Sequence, residues 1–484
     1  MSKLLNALKI ETNGTLTENG AVTHTSTLSD VLDFYYHAPA RRGKDNTGLF
    51  RLAFAEDRTL ALRALCYVRD VRGGQGERET FRQGLRELNR NFPEAFLSIL
   101  PHVSEYGRWD DILEFVSNPA VVDMVSKQLE KDLYAMMKGE SVSLLAKWMP
   151  SANTSSKATK TLAHKWIKAL GTGNEKNYRQ MLSKLRAAIQ IVETAMSSKS
   201  WKAINYSRVP SKASLRYRTA FHKQDGARYA AFIEAALKGE AKINSGTLYP
   251  YELTGKYLDF EGRSHTIDNT VEALWKQLPN YADTEKNALV VCDVSGSMFG
   301  SGKPSPICVA TSLAIYIAER NKGLFKDHFL TFSSDPQLNK LKGETLYEKV
   351  SNLCKAKWGM STDLQKAFAL ILKTAVDHSV PAEEMPEVVF IVSDMEFNEC
   401  GEHTNLEALK VKYAQAGYVI PKVVFWNVAS RNKQTPVTQD ERGTYLVSGC
   451  SPAIFTKAIN TKACTPMQLM LEVLNGPRYE RVTA

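Results

Sequence analysis

The chain has no run of about 18 apolar residues, the length a helix needs to cross a bilayer, so nothing in it reads as a membrane span. Its seven cysteines (Cys66, Cys292, Cys308, Cys354, Cys400, Cys450 and Cys464) form no C-x-x-C pair. A zinc site or disulfide framework is therefore not expected, and several of these thiols sit in apolar runs as small hydrophobes. The opening MSKLLNALKIETNGTLTENG turns polar early and lacks the unbroken apolar stretch of a secretion signal. Together these absences point to a reducing, cytoplasmic setting. H-E-x-x-H, G-x-S-x-G and G-x-x-x-x-G-K-[ST] are missing too, which leaves the common hydrolase and phosphate-loop chemistries without a footing. The glycine-rich Arg72–Gly76 follows a helical pattern and reads as a turn between helices. No enzymatic activity is expected.

What is present is a soluble composition, 43% hydrophobic and 24% charged, spread over 484 residues. Single cores stop growing at about 250–300 residues, so two domains are expected. The net charge of +10 is unevenly placed. Between Ser151 and Arg228 sixteen Lys or Arg face three acids, and the rest of the chain is slightly acidic.

Residues 1–27 read as an arm, with Asn13-Gly14 and Asn19-Gly20 marking turns or a small hairpin. Over 28–255 apolar residues recur three and four apart, as in Leu60, Leu62, Leu65 and Val68, or Leu182, Leu185, Ile189, Val192 and Met196. Gly, Pro and Asn breaks cut this region into helix pairs of about 35–45 residues, the spacing of HEAT-like hairpins. Residues 256–285 read as a linker. From 286 to 484 apolar strands alternate with amphipathic helices: Ala288–Cys292, His328–Phe332, Val388–Val392, Val423–Val428 and Thr444–Val447. Stretches this uniformly apolar predict a parallel sheet covered on both faces. The expected class is α + α/β, an all-α HEAT-like helical-repeat domain followed by a Rossmann-like domain.

The first strand runs directly into Asp293-Val294-Ser295-Gly296-Ser297. In open α/β sheets ligands bind at the carboxyl ends of strands, so this loop is where a site belongs. One carboxylate and two hydroxyls are hard oxygen donors of the kind Mg²⁺ or Mn²⁺ favours. Thr362 opens a later helix, and Asp394 follows the strand VVFIV. The plainer reading is that such residues cap helices and make turns. The ordered set Asp293, Ser295, Ser297, Thr362 and Asp394 resembles the metal-ion-dependent adhesion site of von Willebrand factor A domains, whose pattern is Asp-x-Ser-x-Ser, a distant Thr and a distant Asp. That resemblance covers 286–484 and implies that Ser295, Ser297 and Thr362 touch Mg (or Mn), that Asp293 and Asp394 act mostly through water, and that an acidic residue of a partner protein fills the open position. Ser393-Asp394-Met395-Glu396 departs from the family's Thr-Asp-Gly, and Glu396 either tunes the site or is solvated.

Lys157, Lys160, Lys165, Arg179, Lys184, Arg186, Arg208, Lys212, Arg216 and Arg218 are interleaved with Trp148, Trp166, Tyr178, Trp201, Tyr206, Tyr217 and His222. Cations that neutralise phosphates beside rings that stack on bases suit RNA. The alternatives are a solvated helix face over core tryptophans, or a surface for an acidic protein. Further along 28–255 lie Val68-Arg69-Asp70-Val71-Arg72-Gly73-Gly74-Gln75-Gly76-Glu77-Arg78, Tyr106-Gly107-Arg108-Trp109-Asp110-Asp111, Ala146-Lys147-Trp148-Met149-Pro150-Ser151 and Val209-Pro210-Ser211-Lys212-Ala213. These resemble the DUF2828 family and, more distantly, the TROVE module of Ro60-type RNA-binding proteins. The resemblance implies helical repeats closed into a ring whose basic surface binds RNA, joined to an adhesion-site domain. The expected function is a monomeric Ro60-like RNA-binding scaffold with no membrane partner. A protein-interaction adaptor without nucleic acid is the rival. A metal-dependent nuclease stands further off, because a single hydroxyl-rich metal site anchors little charge for two-metal chemistry.

Overall fold

A computed structural model describes residues 4, 8, 11–258, 266–300, 302–332, 335–354, 363–399 and 404–484. The chain divides into two compact units: residues 1–83 together with 245–483, and residues 84–244, the division falling inside the helix Arg78–Asn91.

The first unit is built on a six-stranded sheet. A small hairpin, β1 (Gly14–Leu16) and β2 (Val22–His24), precedes it, as the two Asn-Gly pairs predict. The sheet strands are β3 (Ala288–Asp293), β4 (His328–Phe332), β5 (Leu338–Lys340), β6 (Val388–Ser393), β7 (Lys422–Asn427) and β8 (Thr444–Ser448), in the order β5-β4-β3-β6-β7-β8. All neighbours are parallel except β4 and β5. β3, β6 and β8 are buried along their whole length, which is what their lack of alternation predicts for a sheet covered on both faces. The helix Pro306–Arg320 is buried nearly all round and packs on β3, β4 and β6.

Two features of this unit differ from the sequence reading. The sheet is mixed, because the antiparallel edge strand Leu338–Lys340 is short, largely exposed and without an apolar run to announce it. Residues 256–285, expected as a linker, include the helix Asn269–Lys276, whose Thr270 to Trp275 are all buried. Its Glu272 accepts hydrogen bonds from the backbone N–H of Leu346 (2.8 Å) and Tyr347 (3.1 Å), the first turn of the helix Leu346–Cys354. A carboxylate there complements the positive end of the helix.

The grouping of residues 1–83 with the sheet is a division that the partition at 28–255 does not draw. Seven of the eight residues of the helix Asp30–His37 are buried, so it is covered all round and needs partners on every side. It finds them in the helices Thr47–Glu56, Arg58–Arg69 and Pro466–Leu474 and in β8. The glycine turn closes onto the same core. A Cβ on Gly74 would sit 1.9 Å from the Tyr67 carbonyl oxygen, so only glycine fits.

The second unit is helical, with no strand among the described residues. Ser211–Gln224 packs on Gly226–Lys238, and Glu175–Ile189 packs on both Pro119–Met137 and Leu145–Trp148. Side-chain N-caps set the helix starts: Ser156 accepts from Thr159 N–H (3.3 Å) and Asn174 from Asn177 N–H (2.9 Å). Arg186, half-buried, donates to the carbonyls of Ala146 and Met149 (both 2.8 Å) and to Ser151 Oγ (3.0 Å), tying the helix Glu175–Ile189 to the helix Leu145–Trp148 and the residues just after it.

Candidate metal centre and basic groove

β3 and β6 lie side by side, and their carboxyl ends carry Asp293 and, one residue past β6, Asp394. Asp293 is fully buried. Its Oδ1 accepts from Ser295 N–H at 2.9 Å and its Oδ2 from Ser393 Oγ at 2.5 Å, and no cation pairs with it among the described residues. Burial, and then the Asp394 carboxylate, push its pKa up against those hydrogen bonds. Burial also pushes Asp394 up, while the Ser297 hydroxyl and Arg431 pull it back. Arg431 Nη2 stands 3.1 Å from Asp394 Oδ2 and 3.0 Å from a Glu18 carboxylate oxygen.

Ser295 and Ser297 place their hydroxyl oxygens 3.0 Å apart. The structure thus gathers Asp293, Ser295, Ser297 and Asp394 in one place, while Thr362 lies outside the described residues. No cluster of three or more His, Cys, Asp or Glu occurs among the described residues, so a cation here would depend on hydroxyls as much as on charge. The donor set suits such a cation: of the two buried carboxylates only Asp394 faces an arginine, itself partly exposed and also paired with Glu18, which leaves negative charge uncompensated beside hard oxygen donors.

Three residues of this site escape the Asp-x-Ser-x-Ser pattern. Ser393 holds Asp293 and also accepts from Met395 N–H (3.0 Å). Arg431 comes from the turn after β7. Glu396 is buried, not solvated: it accepts from Glu18 N–H (2.8 Å), Asn432 Nδ2 (3.1 Å) and Gln434 Nε2 (2.8 Å), so it anchors the hairpin tip. Of the three, only Glu396 gives a sequence signal, as an acid out of place in the motif.

In the helical unit, Lys157, Lys160 and Lys165 are exposed on Lys157–Ala169, Arg179 and Lys184 on Glu175–Ile189, and Arg208, Lys212 and Arg216 nearby. Arg186 and Arg218 are half-buried, and Arg218 Nη1 donates to the Leu215 carbonyl at 2.7 Å. Of the rings read as stacking platforms, Trp166, Tyr178 and Tyr206 are core: Trp166 Nε1 donates to the Leu113 carbonyl (3.0 Å) and Tyr178 Oη to that of Pro150 (2.9 Å). Trp148 and Trp201 are partly exposed, and Arg108 lies 4.2 Å over the Trp148 ring. An open groove of about 590 Å³ runs along the helix Glu175–Ile189, lined by Lys176, Arg179, Arg186, Ser151 and Ser183 and by no acid. Lys176 counts in the basic strip, but spacing alone gives no reason to single it out.

Residues 17–120 and 118–285 match the family described as domain of unknown function DUF2828, and residues 287–470 match the one described as domain of unknown function DUF7788. The DUF2828 match covers more than half of the chain, and the chain belongs to that family. It is 30% identical over 507 residues to "Uncharacterized protein L728" of Acanthamoeba polyphaga mimivirus, covering 96% of this chain and 87% of that protein. Among solved structures, the crystal structure of the Deinococcus radiodurans RO (RSR) protein aligns over 92% of this chain and 93% of its own, with 15% identity and a TM-score of 0.37, a likeness too loose to carry fold or ligand. No described helix is long and apolar enough to cross a membrane.

Proposed function

We propose that the chain is an RNA-binding scaffold of the Ro60 kind whose sheet unit is a von Willebrand factor A-type domain with a working adhesion site. The observation that carries the RNA half is the groove of Lys176 and Arg179, whose lining includes no acid, flanked by exposed cations on the neighbouring helices. Phosphates would lie along the groove while Lys157, Lys160, Lys165, Lys184, Arg208, Lys212 and Arg216 add counterion release. Arg186 and Arg218, already bound to backbone carbonyls, serve more to hold the helices than to contact ligand. Trp201 remains as a stacking surface, Trp148 being already covered on one face by Arg108, and HEAT-type pairing of the helices suits such an extended face.

In the sheet unit, Ser295, Ser297 and Thr362 would hold Mg²⁺ directly, and Asp293 and Asp394 would hold its waters and supply charge. The bound cation would offer a Lewis-acidic position to a partner's carboxylate. Ser393 fixes the Asp293 carboxylate, and Arg431 orients that of Asp394. The reading is of a binding protein, not an enzyme, working in the cytoplasm as a monomer.

The test is binding of the full chain to a structured RNA with a single-stranded tail across a salt series. Affinity should fall steeply with salt, and Lys176→Gln with Arg179→Gln should weaken binding and reduce the log–log slope by about two. Absence of binding at low salt would overturn the RNA half and leave the protein adaptor.

A further inference from the structure

Beside the candidate metal centre, within the sheet unit, opens a cavity of about 360 Å³ whose wall includes Ser297 and Asp394. Four cations line the rest of it: Arg42, Lys44, Lys303 and Arg431. Asp394 is the one acid among its lining residues, and Arg431 already faces it. Arg42 donates through Nη2 to the Gln75 carbonyl, while its Nε is buried without a hydrogen-bond partner among the described residues. Partial burial, and then the like charges of Arg41 and Arg431, lower the pKa of Lys44. Like charges held together at such a cost mark a place where an anion belongs.

The rest of the wall tells which anion. It is made of Ala, Gly, Pro, Ser, Val and Cys, with no aromatic ring on which a base could stack. Its volume suits a few side chains rather than a folded surface. A single carboxylate on the metal would leave Lys44 and Lys303 unanswered and Arg42 Nε still without an acceptor, and arginine in particular matches carboxylates through its planar fork.

We infer that this cavity selects an acidic peptide segment, one carboxylate taking the open position on the metal and at least one more engaging Arg42, Lys44 and Lys303. The inference rests on the metal reading above and narrows it from any acidic residue to a segment with clustered acids. Lys44 and Lys303 are exposed, so replacing them spares the fold.

The experiment measures binding of the full chain, with Mg²⁺ or with EDTA, to an oligoglutamate peptide and to a Gly/Ser peptide carrying a single Glu, alongside the Lys44→Gln, Lys303→Gln double variant. A Mg²⁺-dependent thermal shift is recorded for both proteins as the control on the metal site. The expected result is oligoglutamate binding that needs Mg²⁺ and weakens about tenfold or more in the variant, roughly one charge-assisted contact, with less than about a twofold change for the single-Glu peptide and an unchanged thermal shift. A normal thermal shift with oligoglutamate binding equal in the two proteins, or no stronger than the single-Glu peptide, overturns the inference while sparing the metal site. Loss of the thermal shift in the parent chain overturns the metal reading itself. Displacement of the peptide by oligouridylate, with oligouridylate binding also lost in the variant, would assign the cavity to RNA instead.

Discussion

Arg431 Nη2 lies 3.1 Å from Asp394 Oδ2, so the carboxylate that would help hold a cation is already faced by one positive charge of the chain. The guanidinium belongs to a side chain that is 39% exposed, and solvent screens much of its attraction. Asp394 itself is only 1% exposed, so Arg431→Gln leaves a buried carboxylate without its cation and should cost about 1–3 kcal/mol of stability in the absence of metal. It should also raise Mg²⁺ affinity several-fold, because the repulsion between guanidinium and ion is gone. Titration calorimetry with Mg²⁺ checks the sign, and an unchanged or lower affinity would show that Arg431 acts only by orienting Asp394.

Asp293 gives the complementary case. It is buried with hydrogen-bond donors but no cation partner among the described residues, so its charge is a liability unless a bound cation offsets it. Asp293→Asn keeps the shape and removes the charge. The variant should melt at or slightly above the parent without metal, and its Mg²⁺-dependent rise in Tm should vanish. A variant that melts far lower without metal would instead make Asp293 a structural carboxylate.

The tryptophans of the basic strip separate into core and surface. Trp166 is fully buried with its indole N–H on the Leu113 carbonyl, so it stabilises the helices and touches no ligand. Trp166→Phe should lose about 1–3 kcal/mol from the smaller ring and the unpaired carbonyl while leaving RNA affinity within about twofold. Trp201→Ala, at a partly exposed ring, should weaken RNA binding by about 1–3 kcal/mol if the ring stacks on a base. Comparing urea midpoints with RNA affinities for the two variants separates the roles.

The strands at 288–293, 328–332, 388–393, 422–427 and 444–448 were legible because each is a short, solidly apolar run between helical patterns. Asp293, Ser295, Ser297 and Asp394, four of the five candidate metal-site positions, could be placed in the fold for the same reason, since each sits on or shortly after a strand end that the pattern locates. β5 was not legible: Leu-Asn-Lys carries no periodicity, and its pairing with β4 is set by tertiary context. Arg431, Ser393 and the hairpin tip at Glu18 come to the site through loops and register, which single-chain spacing does not encode. The aromatic strip misled for a physical reason. An aromatic residue among cations looks the same in sequence whether its ring faces core or ligand, and burial alone separates Trp166 from Trp201.

Asp70 ties the two ends of the sheet unit together. Its carboxylate accepts from Arg72 N–H (3.0 Å), Gly73 N–H (3.2 Å), Arg478 Nη2 (2.8 Å) and Tyr479 Oη (2.9 Å). Gly73 leaves the room that Arg478 uses, since a Cβ there would come within 2.6 Å of its Cδ. Asp70→Asn turns one acceptor oxygen into a donor facing donors and leaves Arg478 without its charge partner. The loss should be about 3 kcal/mol, the low end for a broken buried pair because Arg478 is about a third exposed. A lower urea midpoint for the sheet unit with RNA affinity per folded molecule unchanged is the expected readout.

His37 sets an acid limit on the same unit. It is buried, its Nδ1 is 3.0 Å from Ser430 Oγ, and burial, with Arg41 and Lys433 nearby, lowers its pKa from 6.5 to about 3. Above pH 6.5 the imidazole is neutral in both folded and unfolded chains and adds no slope. Between 6.5 and 3 the unfolded chain takes a proton that the folded chain refuses, so stability falls as pH drops, by about 1.4 kcal/mol per unit. Asp33 runs the other way: burial raises its pKa from 3.8 to about 6, so the folded chain takes the proton first and gains stability as pH falls through that window. Bulk acid denaturation therefore mixes the two, and the variant must isolate one of them. His37→Asn keeps a donor toward Ser430 and removes the titration. Its stability relative to the parent should improve steadily from pH 6.5 to pH 4, measured as the difference in urea midpoint. A difference that stays flat across that range would mean that His37 accepts its proton in place.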